Sequence, residues 1–216
     1  GELEDSLGRL GIDTIDLYQI HWPEPDEDIE EGWGAIAEAV KAGKVRYAGV
    51  SNFNVSQIKR LMDIHPVASL QPPYSMLRRE VEEEILPFCG ENRIGVVAYS
   101  PMQKGLLTGK FSHERVSNLA EEDHRRRDPM FKDPELTPTL EMVAELARIA
   151  GEHGKTAAQL ALAWVLRRPE VTAAIAGARK PQQIQETAAA GDWELSDDAV
   201  SRIVELLAER ERKAGE

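Results

Sequence analysis

The sequence predicts an α/β fold, and within that class an incomplete (β/α)₈ barrel. Short apolar segments alternate with amphipathic helical segments along most of the 216 residues, which is the order of parallel βαβ units. A doubly wound dinucleotide-binding sheet has the same alternation, but no G-x-G-x-x-G turn follows the first strand, so the barrel is favoured. We predict a single barrel domain over residues 1–216, with five strands where a full barrel has eight.

The elements follow one another from the N-terminus. Leucines at helical spacing end at Gly11, and no capping residue precedes them, so we expect the first three strand units to lie in sequence upstream. The predicted strands are 15–21, 45–51, 67–71, 95–100 and 171–176, and they are mostly apolar on both faces. Helical spacing predicts helices over 30–42, 55–64, 81–92, 139–153, 156–168, 181–190 and 196–213, with an irregular stretch over 101–137.

Composition limits the partners and the compartment. A net charge of −12 argues against nucleic acid, and no apolar run is long enough to cross a membrane. The one dense basic run, residues 125–127, is flanked by carboxylates and is interpreted as a solvated loop. A single cysteine, Cys89, fits a reducing compartment and predicts a cytoplasmic protein, and no Cys/His spacing suggests a metal site.

Polar residues stand at the C-terminal end of every predicted strand, where barrels build their active sites. These ends are His21-Trp22, Ser51-Asn52, Gln71, Tyr99-Ser100 and Gly177-Ala178-Arg179. A histidine there can protonate a substrate oxygen or cap its own loop, and both interpretations stay open on position alone. Ser51, Asn52 and Gln71 carry the hydroxyl and amide groups that orient a carboxamide, although turn formation also explains them.

Two later segments suggest a phosphate site. Residues 100–107 form a loop whose backbone and Lys104 can fold over a pyrophosphate. Arg179 and Lys180 precede a predicted helix, where free N–H groups and two cations suit a phosphate monoester. Solvated surface charge is the alternative, and the position after the last strand favours the anion site.

Several motifs together resemble the aldo-keto reductase family. They are residues 12–23 (IDTIDLYQIHWP), 43–53 (GKVRYAGVSNF), 70–74 (LQPPY), 97–101 (VAYSP) and 177–179 (GAR). The resemblance implies NADPH-dependent reduction of a small aldehyde or ketone, without metal or flavin. In this family a tyrosine protonates the carbonyl oxygen and works with an aspartate, a lysine and a histidine.

The resemblance assigns roles residue by residue. His21 matches the catalytic histidine, Trp22 the substrate pocket, Ser51, Asn52 and Gln71 the carboxamide ligands, and Tyr99 the aromatic residue that stacks on the nicotinamide. The remaining cofactor-binding matches are Ser100, Met102, Lys104, Leu106, Gly177, Ala178, Arg179, Lys180, Gln183, Glu186 and Thr187. The family's usual asparagine at the last position is replaced by Thr187, and its aspartate, tyrosine and lysine match no residue of this chain.

Three hypotheses follow. The first is a partial NADPH-dependent reductase that is inactive alone, because only His21 of the catalytic groups is present. The second is a nucleotide-binding regulatory subunit of the same fold with little turnover. The third, a metal-dependent barrel hydrolase, lacks the expected carboxylates and histidines at the strand ends.

Overall fold

The computed structural model describes residues 1–215, and its strands form one sheet in the order β1-β2-β3-β4-β5. The strands are β1 (Ile15–Ile20), β2 (Val45–Ser51), β3 (Ser69–Gln71), β4 (Gly95–Ala98) and β5 (Val171–Ala174). β1 to β4 pair in parallel, with Gly49 of β2 opposite both Gln19 and Ser69. The predicted α/β class with five strands is confirmed, and four of the strands are shorter than predicted. β1, β4 and β5 end one or two residues earlier, and β3 begins two residues later.

Nine α-helices are found in the described part of the chain. They are α1 (Glu2–Leu10), α2 (Ile29–Lys41), α3 (Val55–Met62), α4 (Ile85–Glu91), α5 (His113–Ser117), α6 (Leu136–Glu152), α7 (Ala157–Leu166), α8 (Pro181–Ala188) and α9 (Asp197–Ala214). Asn54 and Thr156 begin α3 and α7 with capping boxes, and the Ser196 side chain caps α9. None of these helices is both long and apolar enough to span a bilayer.

Two of the predicted helices depart furthest from the prediction, and proline explains both. The helix predicted over 81–92 is divided into a 3₁₀ turn, Glu80–Glu82, and α4, which begins two residues before Pro87. Proline has no N–H to donate to an upstream carbonyl, so a helix containing Pro87 must start within the preceding turn. α6 begins three residues earlier than predicted because Pro138 lies in its first turn, where a missing N–H is harmless.

The residues divide into two compact units, so the predicted single domain stays a prediction. The first unit comprises residues 1–73, 80–97 and 170–173, and it holds most of the sheet with α1 to α4. Its core is built from fully buried side chains of α2, α3 and the strands, including Trp33, Ile58, Leu61, Val50 and Leu70. The Trp33 Nε1 donates to the His65 carbonyl at 3.0 Å, so this buried indole is satisfied.

The second unit comprises residues 74–79, 98–169 and the chain from 174 onward, and contains α5 to α9. Its core includes the buried apolar helix α7 and a cluster of Leu106, Phe131 and Leu136. The stretch predicted as irregular is folded around that cluster by short turns and α5. Arg210 of α9 is buried, donates to the Thr139 hydroxyl at 3.0 Å and forms an ion pair with Glu135, which ties α9 to α6.

Candidate functional site

Three polar strand ends of the first unit meet at one edge of the sheet. Ser51 is opposite Gln71 in the parallel register, and its hydroxyl donates to the Gln71 carbonyl at 2.8 Å. The backbone N–H of Asn52 donates to the same carbonyl at 3.2 Å. Parallel strands bring their C-terminal ends to a common edge, so residues 20 apart in sequence become neighbours.

Asn52 links these ends to β1. Its backbone has a φ of 65°, in the left-handed region that asparagine tolerates better than most residues. In this conformation Nδ2 donates to the His21 carbonyl and to the Ser51 hydroxyl, each at 3.0 Å. The turn after β2 therefore holds the backbone that carries His21.

His21 and Trp22 are both exposed at the end of β1, and Trp22 retains 52% of its surface. Their rings stack, with centroids 5.6 Å apart and planes 18° from parallel. An exposed imidazole on a fixed backbone can donate to or accept from a small polar ligand, and the indole beside it offers an apolar wall.

Gln71 also has a side-chain partner that the sequence analysis did not single out. Its Nε2 donates to Oε1 of Gln19, inside β1, at 3.2 Å. In the sequence, Gln19 is one polar position within a strand, and only its cross-strand contact distinguishes it.

The second unit contains a cavity of about 380 Å³. Four cationic side chains line it, those of Lys104, Lys110, Arg115 and Arg125, with Glu186 as the carboxylate. The other lining residues are Ser100, Pro101, Met102, Gly105, Thr108, Phe111, Ala158, Ile175, Gly177, Gln183 and Thr187. The excess of positive charge in an acidic chain suits an anionic ligand such as a dinucleotide with its phosphates.

The ring of Phe111 contacts two of these cationic side chains. Arg115 and Arg125 lie over its ring at 4.8 and 5.3 Å from the centroid, and Phe131 packs against it edge-on at 5.3 Å. Arg125 is also held by Asp123, with Nε 2.8 Å from Oδ1, and this pairing keeps the Asp123 pKa below its usual value. The interpretation of residues 125–127 as a solvated loop is therefore wrong for Arg125, which the aromatic ring and Asp123 hold at the cavity.

The loop after β4 has an unusual backbone. Ser100, Gln103 and Lys104 have φ values of 54°, 45° and 53°, and Gly105 follows at 100°. Lys104 Nζ is bound to Asp128 Oδ2 at 2.6 Å. Burial disfavours the charged form of Asp128, but the Lys104 ammonium and the Met130 N–H outweigh it, so the Asp128 pKa is lowered.

The predicted cofactor residues of this unit are distributed unevenly. Ser100, Met102, Lys104, Gly177, Gln183, Glu186 and Thr187 line the cavity. Leu106 is fully buried against Phe131 and Leu136, so its side chain belongs to the core. The carbonyl of Tyr99, which is half-buried, accepts from the Tyr74 N–H at 3.1 Å.

Ala178, Arg179 and Lys180 are exposed, and they are not part of the cavity lining as described through residue 215. The start of α8 is occupied by its own side chain, because Gln183 Oε1 accepts from the N–H of Arg179 at 2.7 Å and of Lys180 at 3.1 Å. Both of these N–H groups, which precede α8 at the predicted phosphate site, are therefore satisfied within the chain.

Comparison with known proteins places these features in one family. The model named Aldo/keto reductase family matches residues 1–208. The chain is 39% identical to aldo-keto reductase YhdN of Bacillus subtilis over 207 residues, 95% of this chain and 62% of that protein. It is 35% identical to aldo-keto reductase yakc [NADP(+)] of Schizosaccharomyces pombe, covering 94% of this chain and 60% of the relative.

Two further matches differ in their stated activity. The NADH-specific methylglyoxal reductase of Escherichia coli is 32% identical, over 98% of this chain and 64% of the relative. The structure of the glycerol dehydrogenase AKR11B4 from Gluconobacter oxydans superimposes with a TM-score of 0.90 at 36% identity, over 97% of this chain and 63% of that one. The chain thus spans about three fifths of the length of the relatives it matches.

Proposed function

The chain belongs to the aldo/keto reductase family, and from this premise we propose that it serves the NADPH-dependent reduction of an aldehyde or ketone to an alcohol. The observation that carries the proposal is the cationic cavity of the second unit, with Lys104, Lys110, Arg115 and Arg125 in its lining. Lys104 and Arg125 are paired with Asp128 and Asp123, and Lys110 and Arg115 add positive charge that an anionic ligand would neutralise.

The phosphates of the cofactor are assigned to this cavity. The guanidinium groups of Arg115 and Arg125 can each offer paired donors to a phosphate, and Phe111 keeps both planes in place. NADPH carries one more phosphate than NADH, so the cation excess favours NADPH. The relative from E. coli is named NADH-specific, so the test below compares NADPH with NADH directly.

Within the first unit, the polar ends of β1, β2 and β3 are the proposed ligands of a nicotinamide. Ser51, Asn52 and Gln71 would hold the carboxamide, and the exposed His21 would hydrogen-bond the carbonyl oxygen of the substrate. Trp22 would form an apolar wall of the substrate site. When bound, NADPH supplies the hydride that reduces the carbonyl carbon.

For the chain alone we propose nucleotide binding without reduction, because the tyrosine, aspartate and lysine of the family match none of its residues. A nucleotide-binding regulatory subunit would use the same cavity, and turnover separates the two functions.

We also propose a cytoplasmic location. Cys89 is buried as a free thiol, and a reduced cysteine fits a reducing compartment.

Titration of the full chain with NADPH and NADH, followed by reduced-nicotinamide fluorescence, tests the proposal. Arg125→Gln should weaken NADPH binding about tenfold, which is the contribution of one charged hydrogen bond. Arg127→Gln is the matched control, since Arg127 belongs to the same basic run but is exposed and outside the cavity lining described here.

NADPH binding that Arg125→Gln leaves unchanged, or that Arg127→Gln weakens equally, would refute the assignment of the cavity. Consumption of NADPH with an aldehyde by the chain alone would contradict the expected lack of turnover. It would leave the cofactor assignment intact.

A further inference from the structure

Two glutamines of the first unit meet across an intervening strand. Gln19 of β1 and Ser69 of β3 both flank Gly49 of β2 in the parallel register. A Cβ atom at position 49 would lie 2.3 Å from Ser69 Oγ and 3.2 Å from Gln19 Cγ. Because Gly49 has no side chain, the side chain of Gln19 can extend across β2 to β3. There Gln19 Nε2 donates to Ser69 Oγ at 3.2 Å.

The hydrogen bonds of Gln19 fix which end of its amide faces which neighbour. Nε2 also lies 3.4 Å from the carbonyl oxygen of Val50, which can only accept. A flipped amide would place two acceptor oxygens against each other. The nitrogen of Gln19 must therefore face Val50, and its Oε1 faces Gln71.

This order determines the amide of Gln71 in turn. Because Gln19 presents an acceptor, Gln71 presents its Nε2, which donates at 3.2 Å. Oε1 of Gln71 then points away from Gln19, and no residue in the described chain donates to it. Gln71 is half-buried, so this oxygen is left to accept from a ligand.

We propose that Gln19 is a positioning residue that sets Gln71 as an acceptor for the amide N–H of the cofactor's carboxamide. The inference rests on the proposed function, because it takes Gln71 as a carboxamide ligand. A nicotinamide offers the required N–H, whereas the acetyl group of a 3-acetylpyridine analogue offers none. The pair Gln19–Gln71 thus selects the carboxamide over a group of the same shape without a donor.

The test measures binding of three ligands to the full chain by calorimetry: NADP⁺, its 3-acetylpyridine analogue, and 2′-phospho-ADP-ribose, which has no nicotinamide. The native chain should prefer NADP⁺ to the acetyl analogue by roughly three- to tenfold, the contribution of one hydrogen bond. Gln19→Met, similar in size but only a weak acceptor, should reduce that preference, because little then holds the Gln71 amide against flipping.

Gln19→Glu provides the rescue. A carboxylate can only accept, so it still draws Nε2 of Gln71 and should retain the preference for NADP⁺. Its second oxygen lies against the Val50 carbonyl, so this variant should be less stable than the native chain. Binding of 2′-phospho-ADP-ribose should be the same in all three proteins, and a merely structural role of Gln19 would change it.

The outcomes separate the two proposals. If the native chain binds none of the three ligands, the proposed function fails and the role of Gln19 fails with it. If it binds all three but does not prefer NADP⁺ to the acetyl analogue, only the role of Gln19 is overturned. The role of Gln19 is also overturned if Gln19→Glu folds but does not prefer NADP⁺ to the acetyl analogue. The Gln19→Glu result is decisive even if Gln19→Met does not fold.

Discussion

Replacing Gly49 by alanine should destabilise the first unit by a predictable amount. The added methyl group would lie 2.3 Å from Ser69 Oγ and 3.0 Å from the Ser69 carbonyl oxygen. The hydroxyl can rotate away, but the carbonyl belongs to the backbone of β3 and can move only with the strand.

Two effects of opposite sign set the magnitude. Alanine loses less backbone entropy on folding than glycine, which is worth about 0.5–1 kcal/mol. Overpacking a closely packed position costs about 1–3 kcal/mol, and the backbone contact places Gly49 toward the upper end. The net loss should be about 1–2 kcal/mol.

Urea denaturation of the full chain, followed by circular dichroism, measures this loss as a shift in midpoint at constant slope. Gly34→Ala is the matched control, because Gly34 lies inside α2 and a Cβ there meets nothing within 4 Å. That substitution should stabilise the chain by up to about 1 kcal/mol.

The double variant Gly49→Ala/Ser69→Ala should recover part of the loss, since it removes the 2.3 Å contact and leaves the backbone contact. The reasoning is refuted if Gly49→Ala is as stable as the native chain, or if the double variant recovers nothing relative to the sum of the single substitutions.

Two further predictions concern single ionisable side chains. Asp128→Asn should lower the free energy of unfolding at neutral pH by about 0.5–1 kcal/mol, because it removes the ion pair with Lys104. Since the Asp128 pKa is lowered from 3.8, this stabilisation is present above about pH 4 and is lost as the pH falls through the folded pKa. The stability difference between the two proteins should therefore shrink as the pH falls below about 4 and through the folded pKa of Asp128, and a difference that stays constant with falling pH would contradict the ion-pair explanation. Burial raises the pKa of Cys89 to about 12, so a thiol reagent should leave the folded chain unmodified and label it only in denaturant, whereas rapid labelling of the folded chain would contradict the observed burial.

Much of the fold follows from local sequence patterns. The bounds predicted for β2 are those observed, because residues 45–51 are mostly apolar and are bounded by turn residues. The adjacency of Ser51 and Gln71 also follows, since parallel strands share a C-terminal edge. The break before α4 was missed, although Pro87 carries the signal for it.

Side-chain roles that depend on distant partners could not be predicted in the same way. Arg125 lines the cavity because Phe111, fourteen residues earlier, stacks beneath it, and its sequence neighbours only suggested a charged loop. Leu106 was assigned to the cofactor from its motif, and its side chain is buried with Phe131 and Leu136. Gln19 is recognised only when Gly49 has brought β1 and β3 side chains together.

The backbone conformation of the loop after β4 lowers the stability of the folded chain. Ser100, Gln103 and Lys104 occupy the left-handed region, where a residue with a Cβ atom is disfavoured by about 1–2 kcal/mol. That free energy is lost once, when the chain folds. An anion that reaches the cavity therefore meets a loop whose disorder has already been removed, and little of the binding free energy is spent on ordering it. The preorganisation of residues 100–105 is thus part of the folded state before any ligand arrives.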